Sequence, residues 1–446
     1  MRLFFVSNGF PPRGQWGTEF YTHALVRGLM ERGHEVGVLH PVRDGSKPRY
    51  TLERVEEKGV DVFLLHNAGD PKKSFADSYS NARVEELFAQ VLDEWKPELV
   101  HFLYLLWGLS LGLPRVARER GLPRLMTLTD YGLLCHRGQM FDWKLQACGG
   151  PQPPAVCARC VREPSRFDGA WHEVFAKRWA VRALAAVGGV GRVTTTDDLS
   201  AREEAVRAAL AECERLIAPT RTLKDTFVRA GVPPERLSEL VYAFDEAPYE
   251  AVREPARARQ QEGGRRSFGF LGQFTPHKGL GTLVRAVEIM DHRLPESVED
   301  WEVQLYGSPA GGRHRTYAEH VFASYAGKRV RVMDPFPAQR APEVLASLSA
   351  VVLPSEWDEN APLTVLQARS AGVPLIASDV AGVREVLEPG VHGLLVPPGD
   401  PEALADAMRT VLLGRGPTPP VGAPLGLSEH LDRVEAVYGE LRGERS

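Results

Sequence analysis

No uncharged apolar run in this 446-residue sequence reaches the roughly 18 residues needed to span a bilayer, which excludes a helical membrane span. A basic excess is missing too. The formal net charge is -4, where a dedicated nucleic-acid binder would carry a large positive balance, so no nucleic-acid partner is expected. The opening MRLFFVSNGF holds only a short apolar run and leads into a Pro-Pro turn rather than a cleavage site. It reads as a first strand, not a signal peptide, and the expected location is cytoplasmic. No G-x-G-x-x-G follows that strand, which argues against a Rossmann dehydrogenase. Cysteine is scarce, with five in all, and four of them fall between residues 131 and 195. With 43% hydrophobic and 25% charged residues, the chain is of ordinary soluble composition and long enough for two domains, each with its own core.

What the sequence has in plenty is alternation. Residues 2–7 and 35–40 read as strands. Between them, residues 18–32 place Phe20, Ala24, Leu25 and Leu29 on one helical face, with Gly33 in the C-terminal cap position. Over residues 80–95 the pattern recurs more cleanly, because Val84, Leu87, Phe88, Val91, Leu92 and Trp95 share one side before residues 99–104 return to strand. Strand then helix, repeated, predicts a parallel sheet covered on both faces. The alternation restarts after a charged linker poor in apolar anchors, residues 246–267, with strands expected at 268–272, 303–307, 329–333, 351–354 and 375–378. The fold class is therefore α/β, with two Rossmann-like doubly wound domains, 1–245 and 268–426. They should face a central cleft at the carboxyl ends of their strands, where open α/β sheets bind ligands. Residues 427–446 should dock as a C-terminal helix capped by Ser428, with Leu431, Val434, Tyr438 and Leu441 on its apolar side.

Two stretches of the second domain carry candidate chemistry. In FLGQFTPHKGL, residues 270–280, a strand gives way through a proline loop to a helix, and Lys278 stands beside Gly279 at the turn. A lysine there adds a point charge where helix N-terminal amides already favour an anion, so the expected ligand is a phosphate. An isolated Lys-Gly pair also fits a solvated surface. In EWDENAPLTVLQARSAGVP, residues 356–374, Pro362 opens a helix and leaves the amides of Leu363 and Thr364 free for a diphosphate. Glu359 stands at that mouth. A carboxylate repels a phosphate, so it is expected to accept hydrogen bonds from hydroxyls of a neutral group attached to the phosphate, as in a sugar. Gln367 lies four residues beyond Leu363 on the same face, and either bonds further hydroxyls or is an ordinary polar position.

These segments together resemble the retaining GT-B glycosyltransferases of family 4, whose signature is Glu-x7-Glu with an upstream Arg/Lys pair. Here it reads Glu359-x7-Gln367, followed by Ala-Gly-Val-Pro at 371–374 and GVREVLEPGVHGLLVPPGDPEAL at 382–404. The N-terminal PPRGQWGTEFYTHALVRGLMERGHEV, residues 11–36, is similar to that family's glycine-rich loop and helix. The resemblance implies a nucleotide-sugar donor (UDP-, GDP- or dTDP-linked) lying on the second domain and transferred, with retention, to a hydroxyl of a glycan, lipid-linked or small-molecule acceptor. By the same resemblance Lys278 would neutralise the diphosphate, Glu359 would hold sugar hydroxyls, and Gln367 would sit at the ribose. The amides of Asn360, Ala361 and Leu363 would complete the contacts, and Phe336 would meet the base. Gly17 would let the first domain's backbone approach the donor, which a side chain would block. Three positions depart from the family: Gln367 for the second Glu, Gln273 for the Arg, and Thr129-Asp130 for the usual His-Asp, leaving Asp130 as the acceptor-side candidate. No divalent metal is required by this arrangement.

The four clustered cysteines, Cys135, Cys148, Cys157 and Cys160, end in a C-x2-C knuckle. In a reducing compartment they suggest structural zinc, with unpaired thiols or disulfides as alternatives. Residues 167–193 mix aromatics and arginines, and read as a packing helix or as a peripheral contact with an anionic membrane face. A GT-B nucleotide-sugar epimerase and a silent sugar-nucleotide-binding partner are the competing functional readings.

Overall fold

The computed structural model describes residues 1–446 apart from 14–16, 69–73, 164–193, 262–265, 295–299, 310, 421, 423 and 444–446. The stretch 167–193 discussed above lies outside the described residues. No helix among the described residues is long and apolar enough to cross a membrane.

The first half of the chain builds an eight-stranded sheet from β1 (Arg2–Val6), β2 (Glu35–Val42), β3 (Thr51–Glu57), β4 (Val60–His66), β5 (Leu99–Phe102), β6 (Arg124–Thr127), β7 (Arg215–Ala218) and β8 (Leu237–Glu239). Their order is β3-β4-β2-β1-β5-β6-β7-β8, and every pairing is parallel except β3 with β4. The edge hairpin β3–β4 escapes sequence reading because TLERVEE is too polar to look like a strand; its charges suit an edge that must not pair further. The second half builds a six-stranded, wholly parallel sheet from β9 (Arg266–Leu271), β10 (Trp301–Tyr306), β11 (Val330–Met333), β12 (Ala350–Leu353), β13 (Leu375–Ser378) and β14 (Gly393–Val396). Its order is β11-β10-β9-β12-β13-β14. In each sheet the order reverses at one point, between β1 and β5 and between β9 and β12. The crevice at such a reversal is where ligands of these sheets bind.

The helix Ala82–Trp95 shows how pattern becomes packing. The Asn81 side chain caps it by accepting from Val84 N at 3.3 Å, and all six predicted apolar residues are buried. Each contributes roughly 1.5–3 kcal/mol by leaving water, and Trp95 meets Phe4 of β1 edge-on with ring centroids 5.4 Å apart.

The segment read as a linker is partly helical, Ala247–Glu250 and Arg253–Gln261. It lies on the second lobe through Arg253 Nε donating to Ser370 O at 2.8 Å and Gln260 Nε2 donating to Gly372 O at 3.0 Å. The last helix, Leu427–Arg442, starts after Gly426, so Ser428 is inside it rather than at its cap. It crosses back onto the first lobe. Gly28 admits Leu431 so closely that a Cβ there would sit 2.5 Å from it. The buried His101 Nδ1 lies 2.8 Å from Tyr438 OH, and Tyr21 OH lies 3.0 Å from His430 Nε2.

Candidate active site

Two glycines press the loop after β9 against the ends of its neighbouring strands, β10 and β12. A Cβ on Gly307 would stand 1.8 Å from Gly272 O. One on Gly279, which also has φ of +71°, would stand 1.7 Å from Pro354 O. This contact lays the single turn Pro276–Lys278 beside the loop running from Ser355 to Pro362, and Glu356 N donates to His277 O at 2.9 Å. The second loop is pinned from below, because a Cβ on Gly382 would lie 1.7 Å from Glu359 O. Ala361 takes φ of +46°, and the helix Leu363–Ser370 follows with its first amides facing forward.

Lys278 and Glu359, read in sequence as holding different parts of a ligand, hold each other here. Lys278 Nζ donates to Glu359 Oε1 at 2.7 Å and Oε2 at 2.9 Å, and Ser355 Oγ also donates to Oε1. Glu359 is 3% exposed, so its charge would be costly without that partner. The ammonium also sits 5.1 Å from the centre of the Trp357 ring.

Trp357 was not anticipated from sequence, although an aromatic between acids in a loop was a visible signal. It is the one member of an apolar cluster whose other members all come from residues 4–237. Tyr131 of the first lobe meets it edge-on at 6.0 Å, while His277 meets it at 5.1 Å and Phe141 in turn packs on His277 at 6.1 Å. Asn360 ties the lobes by side chain rather than by the expected amide alone. Its Nδ2 donates to Thr129 O at 2.9 Å, and its Oδ1 accepts from Thr220 Oγ1 at 3.2 Å.

On the first lobe, Gly132 N donates to Asp130 Oδ1 at 2.7 Å, and burial pushes the Asp130 carboxyl up to about 6 against the opposing pull of that hydrogen bond and of Arg202. Glu19, also missed from sequence, is 5% exposed and accepts from Asn8 Nδ2 at 3.1 Å beneath Gly9. Gly17 faces Leu363 across the cleft, but a Cβ there would be 3.7 Å from Leu363 Cδ1, an ordinary contact. The expected steric need for glycine is therefore not imposed by the protein itself.

The two halves of this arrangement match two family descriptions, the glycosyl transferase 4-like domain over residues 17–240 and glycosyl transferases group 1 over residues 265–413. The chain belongs to the group 1 glycosyltransferases. It is 28% identical over 219 residues to the D-inositol 3-phosphate glycosyltransferase of Corynebacterium efficiens, covering 44% of this chain and 51% of that one. To the protein of the same name from Corynebacterium diphtheriae it is 27% identical over 297 residues, covering 59% and 67%. The match to the first relative thus spans about half of its length. Sucrose-phosphate synthase from Thermosynechococcus elongatus shares the GT-B fold over 100% of both chains, with a TM-score of 0.64 at 17% identity. Anabaena Alr3699/HepE, solved in complex with UDP-glucose, gives 0.59 at 16% over 99% and 100%.

In this group 1 glycosyltransferase the remaining expected positions are spread along the second lobe. Phe336 packs edge-on against Tyr306 at 5.3 Å. Gln273, half-buried, accepts from Thr275 N at 2.9 Å through its carbonyl. Gln367, half-buried, lies near the buried Tyr249. Tyr249, Phe10 and Pro337 line a cavity of about 750 Å³ between the lobes, beside the Phe336 loop. For the cysteines, the expected zinc site is not shown. Burial and the other three thiols push Cys157 up to about 11, so the four are neighbours. Yet no three His, Cys, Asp or Glu side chains among the described residues stand together as a metal-holding group.

Proposed function

We propose that this glycosyltransferase moves a sugar from a nucleotide diphosphate to a hydroxyl of a small-molecule or glycan acceptor, with retention. The observation that carries this is the Lys278–Glu359 pair under the first turn of Leu363–Ser370. A cation and a set of free amides meet a carboxylate at one point, which suits a diphosphate joined to a polyol. On binding, Lys278 would turn from Glu359 to the diphosphate, and Glu359 would exchange the ammonium for sugar hydroxyls. Charge growing on the leaving diphosphate would then be met by a preorganised cation and by helix amides, where electrostatic stabilisation is most effective. We favour front-face transfer. In it the leaving oxygen takes the acceptor proton as the new bond forms. Asp130 and Glu19 would orient the acceptor.

Supporting a nucleotide-sugar donor are the group 1 family and the UDP-glucose bound to a GT-B neighbour. The named relatives act on an inositol phosphate, which favours a small-molecule acceptor. Screening UDP-, GDP- and dTDP-sugars for thermal stabilisation, followed by product analysis with and without acceptor, tests the reading. Stabilisation without turnover would indicate a silent binder, and an epimerised sugar nucleotide without acceptor would indicate an epimerase.

A further inference from the structure

Two buried hydrogen-bond donors at the site have no partner among the described residues: the Tyr131 hydroxyl and the Trp357 indole Nε1. Tyr131 is 2% exposed and Trp357 8%. Buried polar groups are almost always paired, so two orphans side by side require an account. They come from opposite lobes, with ring centroids 6.0 Å apart. Burial above all, and then the nearby charges of Asp358 and Glu359, oppose ionisation of the phenol, and Lys278 stands over the indole. At Tyr131 phenylalanine would fill the same apolar contacts, and at Trp357 it would keep the aromatic contact but leave the space of the indole's second ring.

We propose that Tyr131 and Trp357 read one hydroxyl of the transferred sugar, each lobe donating a hydrogen bond to the same oxygen. The inference rests on the glycosyl-transfer reading above and adds a specificity determinant to it. The valences match. An indole N–H can only donate, a carboxylate can only accept, and a hydroxyl oxygen has two lone pairs and one proton. That oxygen can accept from Trp357 and Tyr131 while giving its proton to Glu359, whose carboxylate Lys278 would have left for the diphosphate. An ether or a missing hydroxyl would break the set and leave both donors orphaned within the closed cleft. The pair would therefore select a sugar by a single position and report its presence to both lobes at once.

The test uses Tyr131→Phe, Trp357→Phe and the double variant, with UDP-, GDP- and dTDP-glucose and the deoxy analogues of whichever the wild type turns over best. Ligand-free melting temperature should stay level or rise for Tyr131→Phe, since an unpartnered buried hydroxyl is being removed, whereas Trp357→Phe should lower it through the space the smaller ring leaves. Each single variant should lose about tenfold to a hundredfold in kcat/KM. One deoxy analogue should cost the wild type a similar factor and the double variant nothing. Wild-type kcat/KM in both single variants, or deoxy penalties that persist unchanged in the double variant, would overturn the proposal. A wild type that turns over no nucleotide sugar would overturn the transfer reading, and this one with it.

Discussion

On the second lobe the site is fixed by backbone that leaves no room for a side chain, whereas on the first lobe it is made of ionisable groups set among apolar ones. Gly279 and Gly382 would each place a Cβ 1.7 Å from a carbonyl oxygen of the site loops, so those loops have one way to sit. Across the cleft, Asp130 is held by one backbone amide and raised by burial, and Gly17 has room for a methyl. The contrast fits a division of labour: a rigid surface for a charged group whose geometry never varies, and a softer surface whose protonation can respond to a reacting hydroxyl.

The largest effect should come from the lysine on the rigid wall. Lys278→Ala should lower kcat by about a hundredfold or more, the usual loss when a preorganised donor to developing charge is removed. It also leaves Glu359 buried without its counter-ion, so nucleotide-induced stabilisation should shrink as well. Steady-state kinetics with thermal shift measures both. Near-normal turnover would mean that the anion is held elsewhere.

The two glycine classes sharpen the comparison next. Gly279→Ala requires a positive φ and displacement of Pro354 O, and should cost about 1–3 kcal/mol in denaturant unfolding while weakening donor binding. Gly17→Ala should leave stability within about 0.5 kcal/mol or raise it slightly, as a methyl at a helix start does. A loss of activity there without a loss of stability would show that bound donor, not protein, needs the space.

How far the sequence revealed these walls follows the same division. Lys278, Gly279, Glu359 and Pro362 lie in short strand-turn-helix segments where local chemistry speaks for itself, so they were readable. The pairing of Lys278 with Glu359 spans 81 positions, and Trp357 reaches Tyr131 in the other lobe. Such contacts are set by how two sheets approach, and no local pattern encodes that. Glu19 was hidden for the opposite reason: a carboxylate in the first turn of a helix looks like routine dipole complementation. The last helix was visible from its apolar stripe, but the stripe fits either lobe. Gly28, the His101 and His430 hydrogen bonds, and the pairing of Arg32 and His34 with Glu435 dock it on the first.

A smaller effect should appear with pH. Asp130 titrates near 6 in the fold against an ordinary value of 3.8, so the folded state binds more protons between those limits. Its contribution to stability is fully present below pH 4 and lost as pH rises through 6. If the ionised form orients the acceptor, transfer should rise over the same window in which stability falls. Asp130→Asn should flatten both profiles. A rise in transfer through pH 6 that survives Asp130→Asn would assign that step to another group and weaken the idea of a protonation-responsive wall.

The cysteines give the smallest expected effect. Burial, then the neighbouring thiols, push Cys148 and Cys157 up, and burial does the same to Cys160 despite Arg137. Zinc binds thiolates, so thiols raised in this way resist loading until the metal itself draws the protons off. Purified protein should carry less than stoichiometric zinc, a chelator should leave the melting temperature unchanged, and alkylation at neutral pH should be slow. The stake is the comparison itself. The insertion bearing these thiols also carries Phe141 and Leu145, which pack on His277 and on the second lobe's core. Stoichiometric, chelator-sensitive zinc would mean that the first lobe owns a rigid anchor next to Lys278, and the softness assigned to that wall would have to be confined to Asp130 and Glu19.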